Sequence, residues 1–166
     1  MDDVKSMLRR TLKTKNDLTL PVSGTGTAAM ESCFVNLIED QDKVLIIENG
    51  YFSLRMIDMC KRLRADVDIL NFEWGKPATI EAIKEKLKNN KYKIVAVVHA
   101  ETSTGVRNPV EKIRPYLDDK TIFIVDAVTS FGTMELNVDH WGIDAVCSCS
   151  QKGLSCPPGA SPVSFS

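Results

Sequence analysis

The sequence predicts an α/β fold, a three-layer sandwich in which a mostly parallel, seven-stranded sheet carries helices on both faces. Three observations predict it. Strand-like and helix-like segments alternate along the chain. The strand-like segments are continuous Val/Ile/Leu runs, and they stop at polar or glycine-rich residues. Runs of that kind mark strands buried on both faces, the condition of a parallel sheet between helical layers.

The elements follow in order. Val4, Met7, Leu8 and Leu12 recur at helical spacing and predict a helix over residues 4–12. Residues 18–22 predict a short strand, followed by the glycine loop Ser23-Gly24-Thr25-Gly26-Thr27 and a helix over 28–38. The apolar run 44–47 stops at Asn49-Gly50, a strong turn signal, and leads to a helix over 51–63 and a strand over 67–70. Pro77-Ala78-Thr79-Ile80 opens the next helix, with Thr79 as its cap, and it runs to about Leu87. Residues 94–98 predict a buried strand, 110–117 a short helix, and 122–125 a strand ending at Asp126. The run 145–150 reads as a buried strand that stops at Gln151-Lys152-Gly153, and 161–166 as a strand just begun. Nothing follows to cover that last strand, so the sequence reads as a piece of a longer protein.

A chain of 166 residues makes one ordinary domain with length enough to bury a core. Its net charge of −1 leaves no electrostatic footprint for nucleic acid. No apolar run reaches the ~18 residues a membrane span needs, and the charged start at Asp2, Asp3 and Lys5 is not a signal peptide. The five cysteines (Cys33, Cys60, Cys147, Cys149, Cys156) lack paired spacing, and Cys147 and Cys149 share one face of the predicted strand, where they cannot readily bridge. With His99 and His140 the only histidines, no zinc ligand set can be assembled. These features point to a reduced compartment: the cytoplasm, or in a eukaryote a peroxisomal or mitochondrial matrix.

Besides Lys152, four features fall at predicted strand ends, where a parallel sheet gathers its ligands. Ser23-Gly24-Thr25-Gly26-Thr27 leads into a helix, so glycines, hydroxyls and free N–H groups could cradle one phosphate. Alone, it reads equally as a strand–helix turn with capping hydroxyls. Asp126 at the mouth of a buried strand needs a partner, either a structural one such as an arginine or a helix N-terminus, or the protonated nitrogen of a heterocycle. The segment His99-Ala100-Glu101-Thr102-Ser103-Thr104-Gly105 is turn chemistry or a source of hydrogen bonds to a ligand hydroxyl. Tyr51-Phe52 follows Asn49-Gly50; such rings are core, or one stacks on a flat cofactor. Lys152 is a surface lysine after a strand, or it holds its amine in a cleft where lost hydration favours the neutral nucleophile. Taken together these are the parts that pyridoxal 5′-phosphate requires: phosphate cradle, aromatic plate, hydroxyl donors, a carboxylate for the ring nitrogen and a Schiff-base lysine.

At these residues the chain resembles the class V (fold type I) aminotransferases, most closely the alanine–glyoxylate/serine–pyruvate branch. The likeness is carried by Ser23-Gly24-Thr25-Gly26-Thr27, Asn49-Gly50-Tyr51-Phe52, the 99–105 segment, Asp126-Ala127-Val128-Thr129-Ser130, Ser150-Gln151-Lys152-Gly153 and Pro157-Pro158-Gly159. The resemblance implies the large domain of the pyridoxal-phosphate-dependent transferase fold over residues 1–166, with Thr25, Gly26 and Thr27 on the phosphate. It implies Phe52 and Val128 on the ring faces, Thr102 at the phenolic oxygen, and Gln151 near the phosphate. The catalytic roles fall to Asp126 at the ring nitrogen and Lys152 at the aldehyde. Some members have histidine where Thr27 stands and often tryptophan where Phe52 stands.

The implied reaction moves an amino group from alanine or serine to glyoxylate or pyruvate. The implied partners are amino acid and 2-oxo acid substrates and, in the parent protein, a second copy forming a homodimer. Relatives also continue into a small C-terminal domain whose arginine binds the substrate carboxylate, and they have a longer N-terminal arm. The expectation is therefore a cofactor platform without its substrate clamp. Two alternatives stay open: another class V reaction, on aminoethylphosphonate or as a cysteine desulfurase, and a truncated fragment without catalysis.

Overall fold

The computed structural model describes residues 1–166 and is built around a seven-stranded sheet. Its strands are β1 (Leu18–Gly24), β2 (Lys43–Glu48), β3 (Asp66–Asn71), β4 (Ile94–Val98), β7 (Ile122–Asp126), β8 (Ala145–Cys147) and β9 (Gly159–Phe165). A separate small hairpin pairs β5 (Ala100–Glu101) with β6 (Val106–Arg107). Across the sheet the order is β1-β9-β8-β7-β4-β2-β3. The strands from β8 to β3 run parallel. β9 opposes both its neighbours, so β1 points the same way as the other five.

Side chains alternate across each strand, and here both faces are buried. In β2, Leu45 and Ile47 face the layer that holds α1 (Asp2–Leu12) and α4 (Ile80–Lys88), in one core cluster with Leu12 and Ile83. Val44 and Ile46 of the same strand face the layer that holds α2 (Gly26–Leu37) and α3 (Tyr51–Arg62), in one core cluster with Phe34 and Met56. The three layers and the mostly parallel seven-stranded sheet are those the periodicity predicts. Thr79 caps α4 as expected, its hydroxyl accepting from the Ala82 N–H. No helix is long and apolar enough to cross a membrane.

Four local expectations are corrected. The helix over 110–117 is two 3₁₀ turns, Val110–Lys112 and Arg114–Tyr116, because Pro115 has no N–H to donate and disfavours a helical residue before it. The glycine loop is shorter than predicted: β1 runs through Gly24 and α2 begins at Gly26, leaving Thr25 alone between them. The strand toward Lys152 ends at Cys147, so Cys149 is not on it, and Lys152 lies in a turn beyond the strand. There β7 has ended at Asp126, and the backbone N–H groups of Ser148 and Ser150 donate to Pro162 and Ala160 on the β9 side. The terminal strand is longer than expected, beginning at Gly159 and running seven residues, and it is flanked on both sides.

Candidate active site

Strand ends set the geometry. β1, β4, β7 and β8 all point their carboxyl ends at one edge of the sheet, where the segments after Gly24, Val98, Asp126 and Cys147 converge. Eight of the nine residues singled out from the sequence line one cavity there, of about 180 Å³, together with Met30 of α2. Sites for drug-sized ligands run to ~300–1,000 Å³, so these walls enclose only part of such a molecule.

The cradle is the N-terminus of α2. Its first turn holds no acidic residue, and the N-cap hydroxyl of Thr25 makes no capping bond. The Gly26 and Thr27 N–H groups fall at the first two helical positions, which have no intrahelical partner. A helix end with free donors and no carboxylate attracts an anion. Thr25 is the N-cap through its carbonyl, which accepts from the Ala28 and Ala29 N–H groups, and not through its hydroxyl. Gly26 also makes the walls meet: a Cβ there would lie 2.9 Å from Val128 Cγ2 and 3.3 Å from Cys149 Cβ. Only glycine lets the α2 entry, the Asp126 loop and the Lys152 loop close on one another.

Asp126 sits at the tip of β7, 2% exposed. Its Oδ1 accepts from the Val128 N–H at 2.7 Å. Burial raises its pKa to about 7; the Val128 N–H and Arg55 pull the other way, and Glu101 adds to the rise. A carboxyl so short of partners is poised to pair with a cationic donor placed in the cavity. Behind it, His99 is fully buried, with Nδ1 2.9 Å from Ser130 Oγ and its ring edge-on to Trp141. Burial, with Arg107, lowers the His99 pKa to about 4 against the pull of Glu111, so a neutral ring backs the 126–130 loop.

Lys152 and Gln151 form the far wall. Lys152 is exposed, so these walls alone do not dehydrate its amine as the strand-end reading expected. None of the ion pairs in the chain engages it. Gln151 Oε1 is buried without a partner, an amide left over for something the cavity would hold. Phe52 and Val128 supply apolar wall. Thr102 stands apart: it is exposed in the β5–β6 turn, outside the wall, with its hydroxyl 2.5 Å from that of Thr129.

Three contributors escaped the sequence reading. Glu101, there only part of a polar loop, is 1% exposed and caps α3: Phe52 and Ser53 donate to its carboxylate at 3.2 and 3.3 Å. Ser103 adds its N–H and hydroxyl, at 3.1 and 2.7 Å. Gly50 permits the approach, since a Cβ there would fall 2.3 Å from Glu101 Cγ. Arg55 donates to Thr27 Oγ1 at 2.5 Å and lies over the rings of Tyr51 and Phe52. Met30 lines the cavity one turn after Gly26. The signal for Arg55 was its helical spacing of three and four from the two rings.

The profile of the family described as Aminotransferase class-V matches residues 1–166. The chain belongs to the class-V aminotransferase family. It is 39% identical over 166 residues to (S)-ureidoglycine–glyoxylate transaminase of Bacillus subtilis strain 168, a match covering 99% of this chain and 40% of that protein. It is 35% identical over 166 residues to alanine–glyoxylate aminotransferase of Rattus norvegicus, again covering 99% and 40%. The crystal structure of alanine–glyoxylate aminotransferase from Nostoc sp. superposes with a TM-score of 0.95 at 46% identity, covering 100% of this chain and 44% of that one. The chain spans about 40% of the length of the curated relatives it matches. Four of the six segments that carry the resemblance line the cavity of this family member; the 99–105 segment and Pro157-Pro158-Gly159 do not.

Proposed function

We propose that this chain is the cofactor-holding large domain of a pyridoxal-phosphate-dependent aminotransferase. In the whole protein the amino group moves from alanine or serine to glyoxylate or pyruvate. The observation that carries the reading is the meeting of Lys152, Asp126 and an uncapped helix N-terminus at one cavity. Glyoxylate is the favoured acceptor, because it recurs in the names of relatives whose amino donors differ.

The donor set fits the cofactor. When bound, pyridoxal phosphate supplies an aldehyde for an amine and a ring that accepts electrons from a substrate carbon. The Gly26 and Thr27 N–H groups and the Thr25 hydroxyl hold its phosphate. Asp126, ionised, keeps the ring nitrogen protonated, since an opposite charge nearby favours the charged form. Phe52 and Val128 provide apolar walls for a flat ring, and Thr102, on a turn at the same edge, is the donor for a ring hydroxyl. Lys152 Nζ is the attachment point and, once released, the base that carries a proton from the substrate α-carbon. The exposure of Lys152 leaves water exclusion to other walls, which we assign to a small C-terminal domain and a second subunit of a homodimer. The five unbridged thiols support a reduced compartment, the cytoplasm or an organelle matrix.

The test is amino transfer by the protein that carries this chain. Glyoxylate with alanine or serine should yield glycine, and Lys152→Ala should abolish it. A protein that holds the cofactor yet makes no glycine with either donor contradicts the substrate assignment.

A further inference from the structure

We propose that Arg55 is a positioning residue for anion recognition: it locks the Thr27 hydroxyl as a donor into the cavity, so that the site selects a phosphorylated ligand over its unphosphorylated counterpart. The inference rests on the cofactor reading above and adds to it a residue that stands behind the cradle.

Hydrogen-bond polarity carries the argument. A guanidinium only donates, so in the 2.5 Å contact between Arg55 Nη1 and Thr27 Oγ1 the threonine oxygen is the acceptor. The threonine proton must then point elsewhere. In a helix it usually turns back to the carbonyl four residues earlier, as Ser32 does to Ala28 at 2.8 Å in this same helix. Thr27 stands at the second helical position, where the fourth residue back is Ser23 in β1, and its hydroxyl makes no such bond. The cavity that Thr27 lines is what remains for its proton. The hydroxyl is thereby fixed as a donor beside the free N–H groups of Gly26 and Thr27.

Arg55 is itself held in place. Its guanidinium lies 5.4 Å from the Tyr51 ring centre and 5.3 Å from that of Phe52, one turn earlier on α3. It joins none of the chain's ion pairs. No direct ion pair ties up its charge, which stands one hydrogen bond behind the cradle, where the helix end is already positive and where it also acts on Asp126. The oxygens of a phosphate would feel both the aligned hydroxyl and that charge. A ligand ending in an uncharged hydroxymethyl group would gain little from either.

The test compares pyridoxal phosphate with pyridoxal in equilibrium titrations of the wild-type chain, Arg55→Met, Thr27→Val and the double variant. Arg55→Met should weaken pyridoxal phosphate by about 10- to 100-fold, the range of hydrogen bonds to charged groups, and leave pyridoxal unchanged. Thr27→Val should behave alike, and the double variant should be little worse than either single one, because both remove one coupled device. Equal losses for both ligands would reduce Arg55 to a prop for the rings and overturn the proposal, as would additive losses. If Arg55→Met does not fold, Thr27→Val, which leaves the ring contacts intact, decides the selectivity. Wild type binding neither ligand would refute the cofactor reading rather than this one. Inorganic phosphate then judges Arg55 by itself: it should raise the melting midpoint of wild type and not of Arg55→Met. The same rise in both proteins, or none in either, overturns the assignment.

Discussion

At Asp126, burial removes water from a carboxyl group that accepts one backbone hydrogen bond, and its pKa rises to about 7. In the unfolded chain it ionises near pH 4. A raised folded value means stability that is fully present below about pH 4 and lost as pH climbs through about 7. The loss is on the order of 4 kcal/mol. Urea titrations at the two ends of that window should show the decline in wild type and not in Asp126→Asn; parallel pH profiles would contradict the burial account. Gly26→Ala is expected to gain a little helix propensity, under ~1 kcal/mol, while its methyl pushes Val128 into the cavity. The clash should outweigh that gain, so its melting midpoint and its pyridoxal phosphate affinity should both fall, and no change in either would show that the walls have slack. Lys152, Asp126 and the Gly26 turn were legible because a polar residue at the end of an apolar run is conspicuous. Arg55 and Met30 were not, since an arginine and a methionine inside an amphipathic helix have an ordinary structural place.

Among the elements, α3 shows how a helix is aimed by a residue far from it in sequence. The carboxylate of Glu101 takes two of the N–H groups left free at the start of α3, and so places Phe52 at the cavity and Arg55 behind it. Glu101→Ala strands those donors and should cost about 2–4 kcal/mol in urea unfolding. It should also weaken pyridoxal phosphate binding through Phe52 and Arg55. A stability loss below ~1 kcal/mol would mean that Ser103 or water takes over the cap. The sequence marked where α3 begins, through Asn49-Gly50, but not what caps it, because the capping carboxylate arrives from another strand end. Short elements were the least legible. Pro115 turned a predicted helix into two 3₁₀ turns, and β8 stopped when β7 left its side, a matter of neighbours rather than composition.

For the whole molecule, the continuous apolar runs were sufficient to indicate a sheet buried on both faces, and they count the seven strands correctly. They could not indicate that β9 runs against its neighbours or that it inserts between β1 and β8. That topology puts the β1–α2 turn at the same edge as the ends of β7 and β8, and so assembles Gly26, Asp126 and Lys152 from distant parts of the chain. The central claim is that this edge holds pyridoxal phosphate on Lys152. The most direct measurement is an absorption titration of the chain with pyridoxal phosphate, followed by borohydride reduction and mass mapping, with Lys152→Ala alongside. A yellow band that reduction converts into one pyridoxyl phosphate on the peptide containing Lys152, absent from the variant, is the expected result. Labelling spread over other lysines, or equal labelling of Lys152→Ala, would contradict it.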